Sequence, residues 1–335
     1  MKTTLPVDKE VKERFPPLDR SPRSPYWRTM IRRVALILTC ALSGCADGPA
    51  ASGTPDGAIP GPDRGPAVDR GVDRAFTPDA ARKPTLTKLR SLFEMSHGAA
   101  VDPAGHIFIA DSYGKHDATP RVYRLDPPYQ GALSPTTITG STPAGLLWHG
   151  GSLYVCDVSA NAVRVHDATL APVQSLSVPM PWNVQVLPDK SLLVVTFDGR
   201  VIRLDDSAQT EVLSGLEHPF DIVAEPDGKH FWVSEQGPEA AKGGGVRRHA
   251  LDGTLDVTSS FGWVNPEGIA RGPQGDIWVA ETALGQIVRV TPDGSAAAAF
   301  GGLTLPAVIT PFPDGDLLVV TVRQDTALYR VGTGS

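Results

Sequence analysis

Six copies of one hairpin pattern, spaced about 42 residues apart, and a spare strand ahead of the first copy predict an all-β protein: a six-bladed β-propeller over residues 85–335 that closes with its own N-terminal strand. The copies open with HGAAVDPAGHIFIAD at 97–111, PAGLLWHGGSLYVCD at 143–157, PWNVQVLPDKSLLVVT at 181–196, PFDIVAEPDGKHFWVSE at 219–235, PEGIARGPQGDIWVAE at 266–281 and PAVITPFPDGDLLVVT at 306–321. Each joins a short apolar strand to a second one rich in β-branched and aromatic residues through a Pro/Gly/Asp turn, the composition of a β-hairpin.

A third strand follows every copy: RVYRLD at 121–126, AVRVHD at 162–167, RVIRLD at 200–205, VRRHALD at 246–252, QIVRVTPD at 286–293 and ALYRV at 327–331. Its alternation predicts one buried and one wet face, as expected nearer a blade's rim. A weaker fourth strand precedes the next copy, as in TTITG at 136–140 and EVLSG at 211–215. The last copy runs out of chain before its fourth strand. Leu86–Phe93 (LTKLRSLF) is the segment expected to take that place, which closes the ring and removes open sheet edges.

The first 84 residues read as address and tether. Residues 30–44 carry paired arginines (Arg32, Arg33), the apolar stretch Val34–Leu42 and small residues before Cys45. The apolar stretch is far shorter than the roughly 20 residues a membrane-spanning helix needs, and its order is that of a secretory signal. Leu42-Ser43-Gly44-Cys45 resembles the bacterial lipobox, which implies lipidation at Cys45, and Ala46 behind it implies the outer membrane. Residues 1–29 are expected to be an upstream extension, with translation starting at Met30. Residues 46–84, rich in Ala, Gly, Pro and Asp, bury too little to fold and are expected to be a disordered tether, reaching some 35 Å as a flexible coil.

The formal net charge is -6, and the folded region holds no Lys/Arg run, so nucleic acid is not an expected partner. Cys156, in LYVCDV, reads as a small buried hydrophobe. The chain has no nucleophile elbow, phosphate-cradling glycine loop or Cys/His zinc motif, and a monomer is expected.

The stretch PEGIARGPQGDIWVAETALGQIVRVTPDG at 266–294 resembles an NHL repeat: Pro-x-Gly-apolar-Ala, a turn, then an apolar strand ending in Ala-Asp or Ala-Glu. The same superfamily of six-bladed propellers includes the gluconolactonase and regucalcin family, the streptogramin lyases and the peptidyl-amidating lyase. The resemblance implies that the loops entering each first strand share one face around the central channel. There the chain presents His97, Ala144, Trp182, Phe220, Glu267 and Ala307 just before the Gly position, which Asn183 and Asp221 themselves occupy in blades three and four. The lactonase family binds a divalent cation on that face. Its first-blade ligand aligns with His97 and its fifth-blade ligand with Glu267, while the other two align with Trp182 and Phe220, which offer no ligand atom. Asn183 and Asp221 stand one residue away, on side chains that strict alternation turns elsewhere unless a bulge re-aims them.

His97, Glu267, Asn183 and Asp221 are the one mixed nitrogen and oxygen set able to converge on an ion. Their oxygens favour calcium or magnesium, and the imidazole shifts the balance toward zinc. Asp111, Asp157, Glu235 and Glu281 recur at second-strand ends and read as turn caps. Trp182 and Phe220 are expected to stack on a ligand or plug the channel. Two long glycine-containing loops, at 112–120 with Tyr113 and His116 and at 236–245, are expected to flank a cleft from opposite blades. The function expected is an envelope-anchored lipoprotein that binds a small molecule, glycan or peptide through this face. The alternative is a divalent-metal-dependent lactonase-type hydrolase with His97, Glu267 and Asn183 as ligands and Asp221 as ligand or general base.

Overall fold

The computed structural model describes residues 85–92, 96–112, 114–139, 142–205, 208–236, 244–322 and 326–333, and of Ser96 and His97 the backbone alone. The expected extension, signal, lipidation site Cys45 and tether lie outside the described residues, as does Tyr113. Among the described residues all regular structure is β, and no helix is long and apolar enough to cross a membrane.

The chain opens with β1 (Thr85–Ser91). Blade one follows as β2 (Ser96–Val101), β3 (Ile107–Asp111), β4 (Arg121–Leu125) and β5 (Ser134–Thr139), and blade two as β6 (Pro143–His149), β7 (Ser152–Asp157), β8 (Ala162–His166) and β9 (Pro172–Ser177). Blade three is β10 (Pro181–Val186), β11 (Leu192–Thr196), β12 (Arg200–Leu204) and β13 (Gln209–Leu213), and blade four is β14 (Pro219–Ala224), β15 (His230–Glu235), β16 (Gly245–Ala250) and β17 (Leu255–Thr258). Blade five comprises β18 (Pro266–Arg271), β19 (Ile277–Glu281), β20 (Gln286–Val290) and β21 (Ala296–Phe300), and blade six β22 (Pro306–Pro311), β23 (Leu317–Thr321) and β24 (Ala327–Gly332). Blade six is completed by β1, which runs antiparallel to β24 with Leu86 opposite Val331 and Lys88 opposite Tyr329. The fold is therefore a closed ring of six four-stranded sheets, joined by the first and last strands of the domain.

The ring exists because one blade cannot hide its own apolar faces. The buried side chains form six clusters, one at each seam between neighbouring blades. At the closing seam Ile107, Ile109 and Leu125 of blade one meet Val308, Leu318, Val320 and Leu328 of blade six. At the seam of blades four and five Val223, Trp232 and Val246 meet Ile269, Ile277, Val279 and Val288. Second strands are covered on both faces, which is why β3, β11, β19 and β23 are buried at every position and carry unbroken apolar runs.

The third strands differ from the expectation of one wet face. In β4, β12 and β20 only the first and fourth residues are half-buried, and those two lie on opposite faces. Both faces are covered by adjacent blades, and the polar positions are mostly arginines that run along the sheet to its two ends. Arg121 reaches Asp117 and Arg164 reaches Asp157 at one end, while Arg289 reaches Asp276 and Arg330 reaches Asp316 at the hairpin end. Long apolar stems bury while the guanidinium keeps a carboxylate partner, so alternation in sequence here records snorkelling rather than a solvent face. Exposed residues dominate a strand only at the rim, as in β9, where Leu176 alone is half-buried.

Candidate functional site

Three of the inner strands approach the next inner strand too closely for a side chain at one position. A Cβ on Gly98 would lie 2.0 Å from the Ala144 carbonyl oxygen, one on Gly145 2.5 Å from that of Trp182, and one on Gly268 2.5 Å from that of Ala307. In blades one, two and five the Gly position of the repeat is thus the point where the inner strand touches the next. In every inner strand the pairing register shifts at this point, between Ser96 and Ala99, Pro143 and Leu146, Pro181 and Asn183, Pro219 and Asp221, Pro266 and Ile269, and Pro306 and Val308. Bulges of this kind re-aim side chains. Asn183 and Asp221, which strict alternation would turn away, are consequently brought to the axis.

They meet there. Asn183 Nδ2 donates to Asp221 Oδ1 at 2.6 Å, and the same oxygen accepts the Ile222 backbone N–H at 2.7 Å. Asp221 Oδ2 accepts the backbone N–H of Ile269, in the next blade, at 2.9 Å. Three donors favour the carboxylate, yet the group is almost wholly buried, and loss of hydration dominates: burial pushes the Asp221 carboxyl up to about 7. The pair lines an axial cavity of about 150 Å³ to which all six inner strands contribute. Its walls are Gly98, Ala99, Leu146, Leu147, Val223, Ala224, Ile269, Ala270, Val308, Ile309 and Pro311, with Asn183, Gln185, Asp221, Arg271 and Thr310 as polar groups. The lining runs from the third residue of the inner strands to their C-terminal ends, so the cavity lies beneath the ring of residues preceding the Gly position.

In that upper ring the described side chains meet protein partners. Glu267 is buried, and its Oε1 accepts the side-chain amides of Gln236 and Asn265, each at 3.0 Å. Ser234 Oγ accepts the Asp221 backbone N–H at 3.0 Å and donates to the Glu267 carbonyl at 2.5 Å, so one buried hydroxyl ties the backbones of the two acidic residues together. Asn183 spends its amide nitrogen on Asp221 and its oxygen on the Val184 N–H at 2.7 Å. The side chain of His97 lies outside the described residues. Trp182 meets Phe220 edge-on at 5.8 Å and Phe197 at 5.2 Å, forming an aromatic cluster at the seam of blades three and four. His116 is exposed, with its ring edge-on to Tyr123 at 4.9 Å.

Glu267 and Asn183 thus each hold protein hydrogen bonds, with Gln236 and Asn265 on the one and Asp221 and Val184 on the other. A group whose geometry could hold a cation occurs on the hairpin side of blade four, where ligand atoms of Glu225, Asp227 and His230 lie within 4.8 Å of one another. Its atoms already serve the turn: Asp227 Oδ2 meets His230 Nδ1 at 2.6 Å, and Glu225 holds Trp232 Nε1 at 2.9 Å and Arg248 at 3.1 Å. In blade one Asp102 Oδ2 likewise meets a histidine, His106 Nδ1, at 2.7 Å across the turn, from the repeat position that Glu225 holds in blade four.

The acids at second-strand ends cap turns. Asp111 accepts the backbone N–H groups of Lys115 and His116, Glu235 that of Glu217, and Glu281 those of Val264 and Asn265. Burial raises the Glu281 carboxyl above the usual range. Cys156 is buried and, with Asp221 and Asp157 nearby, held far from thiolate formation. Sequence reasoning missed Ser234, Gln236, Asn265, Gln185, Thr310 and Arg271. Only Asn265 carried a local signal, standing directly before the Pro-x-Gly opening of its blade.

No protein-family model matches the sequence, and no curated protein matches it either. Solved structures do. A gluconolactonase from Xanthomonas campestris superposes with a TM-score of 0.61 at 16% identity, over 76% of this chain and 91% of that one. Virginiamycin B lyase from Staphylococcus aureus gives 0.53 at 14% identity, over 74% and 99%. Kuenenia stuttgartiensis hydrazine synthase gives 0.53 at 17%, over 68% and 80%. Proteins of such different chemistry share the scaffold alone. The chain thus has the six-bladed β-propeller fold, similar to those of gluconolactonases and streptogramin lyases.

Proposed function

We propose that this protein is a small-molecule-binding propeller held at the cell envelope, with the axial cavity as its binding site. The observation that carries the reading is the Asn183–Asp221 pair set in otherwise mainly apolar walls, since ligand sites are typically apolar concavities with a few placed polar groups. Lipidation at Cys45 would tether the domain to the outer membrane through the stretch up to residue 84, leaving a monomeric ring free to sample solutes. The test is ligand-observed NMR of a periplasmic metabolite mixture with the full chain in detergent, on wild type and on Thr310→Phe, which fills the cavity. The reading requires solutes whose signals respond to wild type and not to the variant. A mixture that binds neither protein, or both alike, removes it.

A second reading, a lactonase-type hydrolase, is favoured by the fold likeness and by a buried carboxyl near 7, the range suited to a general base. In it Asp221 takes the proton of a water attacking the lactone carbonyl. Metal analysis together with lactone turnover, with and without chelator, separates the two. Turnover that Asp221→Asn abolishes supports the hydrolase, and a metal-free, inactive protein that binds solutes supports the binding module.

A further inference from the structure

Arg271 ends β18 at the far end of the cavity, half-buried. Every described arginine on a third strand pairs with a carboxylate, as Arg289 does with Asp276 and Arg248 with Glu225. Arg271 has no carboxylate partner among the described residues. Its guanidinium lies over the β18–β19 turn, where a Cβ on Gly275 would sit 2.9 Å from it; a glycine there, at φ +87°, leaves it room. A half-buried guanidinium with no carboxylate partner among the described residues, on the wall of a mainly apolar cavity, is a ready anion site.

At the other end stands Asp221. An ionised carboxylate offers about four lone-pair sites, and three are used: two on Oδ1, by Asn183 and Ile222, and one on Oδ2, by Ile269. One acceptor position remains on Oδ2. Ile269, whose N–H holds Asp221 Oδ2, and Arg271 stand two residues apart on one face of β18, a backbone rise of about 7 Å, and the guanidinium reaches beyond that to the β18–β19 turn. A cavity of about 150 Å³ takes a molecule the size of a benzene ring, roughly six heavy atoms.

We propose that the cavity binds a short, bifunctional organic anion, its carboxylate on Arg271 and an O–H or N–H donor on Asp221, with an apolar chain between them along Ile269 and Val223. This rests on the cavity being the binding site, and it adds the ligand's class and direction.

Isothermal titration of the full chain in detergent with 4-hydroxybutyrate, butyrate and 1,4-butanediol tests it, with unfolding midpoints confirming that each variant is folded. The expected order is 4-hydroxybutyrate first. Loss of the anion (the diol) costs about tenfold or more, and loss of the donor (butyrate) costs a smaller factor. Arg271→Gln should abolish the advantage of the anion over the diol, and Arg271→Lys should retain part of it. If the diol binds as well as the anion and Thr310→Phe blocks both, the cavity is a ligand site without anion preference: the inference falls and the broader reading stands. If Arg271→Gln leaves the order unchanged, or if none of the three binds, the inference falls as well, and the metabolite experiment decides the broader reading separately.

Discussion

The side-chain amide of Asn183 donates to the carboxyl of Asp221 at 2.6 Å across the seam of blades three and four, at the repeat position where blades one, two and five carry glycine. Substituting polar residues at a point of closest approach turns a packing contact into a buried hydrogen bond beside the axis. That trade has consequences for stability and pH.

Asp221 in the folded ring titrates at about 7, against 3.8 for the free side chain. A carboxyl raised by folding stabilises the native state fully below about pH 4, and the contribution is lost as pH rises through 7. Urea unfolding should therefore show wild type losing on the order of 2 kcal/mol relative to Asp221→Asn between pH 5 and 8. Parallel profiles would show that Asp221 does not titrate there. At fixed low pH the variant should be less stable by about 1–2 kcal/mol, because its new amide N–H groups face an existing donor.

Gly98→Ala would place a methyl 2.0 Å from a backbone carbonyl of the next blade, and Gly268→Ala one at 2.5 Å. Neither neighbour is the tip of a flexible side chain, so each substitution should cost about 3 kcal/mol or more. Gly262→Ala, in open space at an ordinary φ, is the control and should change the unfolding midpoint little.

Removing residues 85–91 deletes the strand that pairs with β24 and leaves β24 as an uncovered outer edge of a three-stranded sixth blade. Such a ring should lose cooperative unfolding and self-associate, visible by size-exclusion chromatography and calorimetry. A monomeric, cooperatively melting truncation would mean that β1 contributes little to closure.

Cys45→Ser should move the full-length protein from the detergent phase to the aqueous phase in Triton X-114 partitioning of envelope fractions and leave the propeller's melting unchanged. Retention in the detergent phase would rule out Cys45 as the anchor.

The blade number, the hairpins, the closing strand near Leu89 and the capping acids are all legible in the chain as a string, because each depends on local pattern: period-two apolarity, turn residues and repetition at fixed spacing. Two features are not. The third-strand arginines mimic a solvent face in sequence, and only the neighbouring blades and the carboxylates at each blade's ends show that both faces are covered. The site is likewise a product of assembly. A register shift invisible in the sequence swings Asn183 and Asp221 inward, while Glu267 turns to the amides of Gln236 and Asn265. Arg271 becomes notable only once every third-strand arginine has found a carboxylate. Repeats encode how each blade is built, but which side chains meet on the axis follows from the distances at which six blades can close.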